Sequence, residues 1–110
     1  MSARSNEPCY AVIFTSRRTE GDHGYTDMAA RMEELAAEQP GYLGLESARG
    51  EDGVGITVSY WRSLEDLQAW KQVSEHRMAQ QLGRERWYER YHVRVARVEY
   101  AYDFTRGRES

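Results

Sequence analysis

The chain has 110 residues, 40% of them hydrophobic and 12% aromatic, with a formal net charge of -3 and one cysteine. That is the length of one domain able to bury a modest core, and the aromatic content argues against disorder. The charge gives no electrostatic reason to expect nucleic acid or an anionic membrane as a partner. A lone Cys9 excludes an internal disulfide and a cysteine-based metal cluster.

No segment approaches the roughly 20 apolar residues of a membrane span. The leading MSARSNEP lacks the apolar stretch of a signal peptide, so a soluble, cytoplasmic protein is expected. Residues 1–8 and 105–110 read as loose polar tails around one domain spanning 9–104.

Cys9 to Ser16, CYAVIFTS, is rich in β-branched and aromatic residues and predicts a first strand. The polar run RRTEGDHG breaks it. From Tyr25 to Glu38 the residues Tyr25, Met28, Ala29, Met32, Leu35 and Ala36 recur at three- and four-residue spacing, one stripe of an amphipathic helix. Pro40 and Gly41 end that helix. Tyr42 to Arg49 and Val54 to Trp61 alternate as strands, with Gly50, Glu51, Asp52 and Gly53 as the hairpin turn.

Ser63 then caps a second helix, with Asp66 three residues on and Leu64, Leu67 and Trp70 on its inward side. A shorter helical piece is expected over Glu75 to Leu82, closed near Gly83, and Tyr91 to Phe104 reads as the final strand. The order is β-α-β-β-α-β, an α+β, ferredoxin-like unit with a four-stranded antiparallel sheet. Helices on one face leave the other bare. Depending on register that face offers Tyr91, Val93 and Val95, or Ala96, Val98 and Tyr100. Either set is an association surface, and a two-fold homodimer through the open sheet face is the expected partner arrangement.

Candidate chemistry gathers around the second helix. Trp70 is either core packing or a pocket wall that stacks on a flat conjugated ligand. His76 carries an imidazole, a side chain suited to moving a proton, or it could simply sit exposed. Arg77 would suit an anionic or phenolate oxygen, or a surface ion pair. Hydroxyls of Ser47, Ser59 and Tyr60 on the central strands could orient a ligand, or be satisfied locally. No Ser-His-Asp or Cys-His set has local motif support. The Glu20, Asp22 and His23 cluster lacks metal-ligand spacing, so no metal site is expected.

The element order, the QPGYLGLESAR stretch, the ITVSYW strand and the AWK…EH helix together resemble antibiotic-biosynthesis-monooxygenase-like domains of the dimeric α+β barrel superfamily. The likeness covers about Tyr10 to Tyr102. It implies a homodimer with two sheets face to face, and a cofactor-independent monooxygenase oxidising a small aromatic, phenolic molecule with dioxygen. The resemblance matches Trp70 to the family's pocket tryptophan. It suggests His76 for proton transfer and Arg77, Tyr60 or Ser47 for orienting substrate oxygens. A related branch binds and degrades haem, but the first strand here has no asparagine, and the expected ligand position falls near Gln80 rather than His76. The alternative readings are a non-catalytic small-molecule-binding or stress-related dimeric module, and a haem-binding or haem-degrading protein.

Overall fold

A computed structural model describes residues 4–5, 9–80 and 86–107. Its elements are β1 (Arg4–Ser5), β2 (Cys9–Arg18), α1 (Tyr25–Ala37), β3 (Tyr42–Arg49), β4 (Val54–Trp61), α2 (Leu64–Gln80), β5 (Tyr88–Val98) and β6 (Ala101–Tyr102). The main sheet has four strands in the order β3-β4-β2-β5, each neighbouring pair antiparallel. With α1 and α2 as its crossovers this is the expected ferredoxin-like α+β fold.

The sheet's register decides which side chains meet the helices. Val12 pairs with Ser59 and Val95, and Phe14 with Thr57 and Val93. Leu45 lies opposite Ser59 and Ser47 opposite Thr57. Strand side chains alternate between faces, so these residues share the helix-covered side with Tyr10, Trp61 and Tyr91. Ile13, Val58, Ala96 and Val98 fall on the other face. Of the two sets expected for the bare face, register therefore assigns Ala96 and Val98 to it and turns Tyr91, Val93 and Val95 towards the helices.

The core lies between that covered face and the helices. Val12, Leu35, Ala36, Trp61, Leu67 and Trp70 are buried together, and Trp61 and Leu67 lose all their solvent contact. Each such large side chain contributes about 1.5–3 kcal/mol through burial alone. Trp61 is fixed three ways: its ring stacks on Trp70 at 5.8 Å, meets Tyr42 edge-on, and its indole N–H donates to Ser59 Oγ at 2.9 Å.

The ends of the elements follow from local chemistry. Ser63 Oγ accepts the Asp66 N–H at 3.0 Å and so caps α2. Gly41 takes φ 79°, and a Cβ there would collide with the Asp66 carboxylate. That close approach is needed because the Arg62 N–H reaches back to the Gly41 carbonyl at 2.8 Å.

Three expectations change. The second helical region is one unbroken helix to Gln80, because no glycine or proline interrupts Leu64–Gln80; the exit expected near Gly83 lies outside the described residues. The last strand starts earlier, at Tyr88, and ends at Val98. Beyond it, Ala101–Tyr102 pairs antiparallel with Arg4–Ser5 in a separate small sheet, which ties part of the leading segment to the end of the chain.

Candidate functional site

Between the helices and the covered sheet face lies a cavity of about 210 Å³. α1 supplies Tyr25, Met28 and Met32, and α2 supplies Trp70, Ser74 and Met78, residues spaced four apart on one helical face. The sheet contributes Phe14, Leu45, Ser47, Thr57 and Val93, while Trp87, Tyr88 and Tyr91 close one side. Glu33, Lys71 and Glu75 bring the only charges to its border among the described residues. A cavity of ~150 Å³ accommodates benzene, and drug-sized ligands need about 300–1,000 Å³. This one suits a molecule of one or two fused rings.

The walls are rigid because the rings brace one another. Phe14 stacks on Tyr91 at 5.1 Å and meets Tyr88 edge-on at 5.4 Å. Trp87, almost fully buried, donates its indole N–H to the His23 carbonyl at 2.8 Å and meets Tyr25 edge-on. Two hydroxyls in the wall are already engaged: Ser59 accepts from Trp61, and Ser74 donates to the Lys71 carbonyl at 3.0 Å.

A cationic cluster borders the tyrosines. The Arg18 guanidinium lies 3.6 Å over the Tyr25 ring and is held there by bonds to the Trp87 and Gly21 carbonyls, each 3.0 Å. Arg49 donates to Ser16 Oγ at 3.0 Å and to the Tyr25 hydroxyl at 3.3 Å. It reaches them by lying across Gly55, where a Cβ would stand 2.6 Å from its Cζ. Burial, reinforced by the charge of Tyr25 and a hydrogen bond to it, pushes the Tyr88 hydroxyl pKa well above its ordinary value, so Tyr88 stays protonated.

The sequence-expected residues separate on this frame. Trp70 and Ser47 both line the cavity. His76 is exposed and outside the wall: six residues beyond Trp70 place it about 120° around the helix. Arg77 is half-buried and also outside the wall. Tyr60 lies on the opposite sheet face, where its hydroxyl donates to Glu46 Oε1 at 2.9 Å; that bond, with partial burial, raises its pKa. Asp22 caps the start of α1 through the Thr26 and Gly24 N–H groups. Among the described residues no group of three His, Cys, Asp or Glu is arranged to hold a metal.

Phe14, Tyr25, Trp87, Tyr88 and Tyr91 are wall residues that sequence reading did not assign to the site. The periodicity of α1 marks Tyr25 as inward-facing; Phe14, Tyr88 and Tyr91 depend on the β2–β5 register, and Trp87 lies just before β5.

Residues 9–82 match the family model for antibiotic biosynthesis monooxygenase. The chain belongs to that family. The Bacillus subtilis (strain 168) uncharacterized protein YqjZ is 52% identical over 99 residues, 90% of this chain and 87% of the other. Jasmonate monooxygenase ABM of Pyricularia oryzae is 31% identical over 94 residues, which are 81% of this chain but 43% of that longer protein. Among solved structures, SnoaB, a cofactor-independent oxygenase from Streptomyces nogalater, superposes with a TM-score of 0.59 over 94% of this chain and 96% of its own. At 15% identity that likeness carries the fold.

Proposed function

We propose that this family member is a cofactor-independent monooxygenase that oxidises a small, flat, phenolic molecule with dioxygen inside the cavity. The observation that carries the reading is the cavity itself: about 210 Å³, walled by aromatic rings, in a chain whose family includes a monooxygenase-named relative. An electron-rich ring held among apolar walls can do the redox work itself. Once deprotonated it passes an electron to dioxygen, and the radical pair recombines. One oxygen atom enters the product as a carbonyl and the other leaves as water, giving a quinone.

The protein then has three tasks: exclude water, orient the ring and accept a proton. Trp70 is the stacking wall and Ser47 an oxygen-orienting hydroxyl. The proton acceptor is Glu75, one helical turn beyond Lys71 on the strip of α2 that borders the cavity; this role replaces the one expected of His76. Arg77 and Tyr60, outside the wall, take no part in orienting the substrate. Two protomers pair through their bare sheet faces. Cytoplasmic location belongs to the same reading, and no helix among the described residues is long and apolar enough to cross a membrane.

Oxygen uptake with a panel of hydroxylated anthrones and naphthols tests this. Turnover of at least one member is expected, reduced about 10²-fold or more by Glu75→Gln and unchanged by His76→Ala. If no member is turned over, the protein is a binding module and the oxygenase reading fails. If His76→Ala abolishes turnover while Glu75→Gln does not, proton transfer belongs to His76.

A further inference from the structure

The oxygenase reading leaves one cluster unused: Arg49 behind two wall residues of the cavity, Tyr25 and Tyr88. Arg49 donates to the Tyr25 oxygen at 3.3 Å, and Tyr88 stands beside the same residue, its ring meeting Tyr25 edge-on at 6.0 Å. With Arg49 donating, the Tyr25 oxygen serves as acceptor, and a phenol still has its own proton to give. Accepting a bond from a cation polarises that O–H and strengthens it as a donor. Tyr25 borders the cavity, and the Arg18 guanidinium 3.6 Å over its ring adds a second positive charge beside it.

Arg49 is placed by the absence of a side chain at Gly55. Its guanidinium lies where a Cβ would stand 2.6 Å from Cζ, held by Ser16, which is almost fully buried. A glycine in the middle of a sheet weakens the strand unless something needs the space; here the arginine occupies it.

We propose that Tyr25 is an anion-recognition residue, donating its hydrogen bond to a charged oxygen on a flat ligand held among the aromatic walls, with Arg49 as its positioning residue. The oxygen belongs to a phenolate or a ring carboxylate. In the oxygenase reading, on which this rests for its catalytic meaning, that donor stabilises the substrate oxyanion as it forms. A neutral ring fills the same space without gaining the bond.

Isothermal titration calorimetry tests this without any turnover. The probes are a naphthoate against ethylnaphthalene, and para-nitrophenolate against para-nitrotoluene, neutral rings with no oxygen at the recognised position. The protein is expected to bind each anion about tenfold or more tightly than its neutral counterpart, the gain usual for a hydrogen bond to a charged group. Preference for one anion class alone identifies which oxygen the site takes. Tyr25→Phe should bring the ratio near one while leaving affinity for the neutral probes within twofold, which also shows that the cavity is intact.

Gly55→Ala and Arg49→Met should each remove most of the preference, and should add nothing in the Tyr25→Phe background. Equal affinity for anion and neutral probe in the unmodified protein overturns the proposal, as does a preference that survives Tyr25→Phe. Loss of preference in the Arg49 variant that is additive with Tyr25→Phe overturns the positioning role. Oxygen uptake without anion preference sinks this inference alone; preference without oxygen uptake sinks the oxygenase reading alone.

Discussion

Trp70 serves two ends that pull in different directions. Its indole is 92% removed from solvent, stacks on the fully buried Trp61, and presents its remaining surface to the cavity. Truncation therefore removes core as well as wall. Trp70→Ala is expected to lower stability by about 3–5 kcal/mol, read as a fall in the urea midpoint; a loss below 1 kcal/mol would show that the ring is not part of the core. Activity in that variant would report unfolding rather than stacking. Trp70→Phe keeps a ring in place and is the variant to use in turnover assays, where a raised KM with little change in kcat is expected if the indole binds substrate uniformly.

The two helices begin on different chemistry, and this makes them respond differently to pH. α2 starts on the neutral hydroxyl of Ser63. α1 starts on the Asp22 carboxylate, which accepts from the Thr26 side chain, from its N–H at 3.2 Å and from the Gly24 N–H at 3.1 Å. The Thr26 hydroxyl bond is the largest cause of a lowered Asp22 pKa. A depressed carboxylate pKa means stability that is fully present above the unfolded value, near pH 4, and lost as pH falls through the folded value. Asp22→Ala should thus be less stable than the unmodified protein at neutral pH, with the gap closing below about pH 4. A gap independent of pH would show that the carboxylate's charge plays no part.

Element identity was legible in the sequence wherever periodicity and breakers agreed. Tyr42–Arg49 and Val54–Trp61 form the expected strands, because a glycine-rich turn and strict alternation are local signals. The expected break in α2 failed on the same physics: a polar stretch around Glu75 and His76 lowers amphipathicity but contains no residue that stops a helix. Of the site, Trp70 and Ser47 were legible from spacing within one element. Phe14, Tyr88 and Tyr91 were not, since they meet only when two strands some 70 residues apart pair in one register. The Arg49–Gly55–Tyr25 arrangement likewise joins a helix to two strands, and no local pattern marks it.

At the scale of the molecule the shape is lopsided. It measures 46 × 34 × 21 Å, with a radius of gyration of 15.8 Å against about 13 Å for a compact chain of 100 residues. The short dimension holds only two layers, one of helices and one of sheet, so the second sheet face has nothing above it. That face carries Ile13 and Val58 on its two central strands and Ala96 and Val98 on the edge strand β5, with Ile56 48% exposed. Glu46, Arg94 and the Arg17–Glu89 pair add charge around it. An apolar centre with a charged surround is the pattern of an interface rather than of a solvated sheet. Light scattering at micromolar concentration should give twice the 12.8 kDa chain mass. Val58 sits between Ile13 and Glu46 in the ladder, so Val58→Arg would bury a guanidinium at the centre of the paired sheets; even beside Glu46 its desolvation and added bulk cost enough to release monomers. Gln68→Arg, on the exposed side of α2, changes the net charge equally and should leave the dimer intact. A Val58→Arg protein that keeps the dimer mass would place the contact elsewhere, whereas a monomer with unchanged helix content would put it on this face.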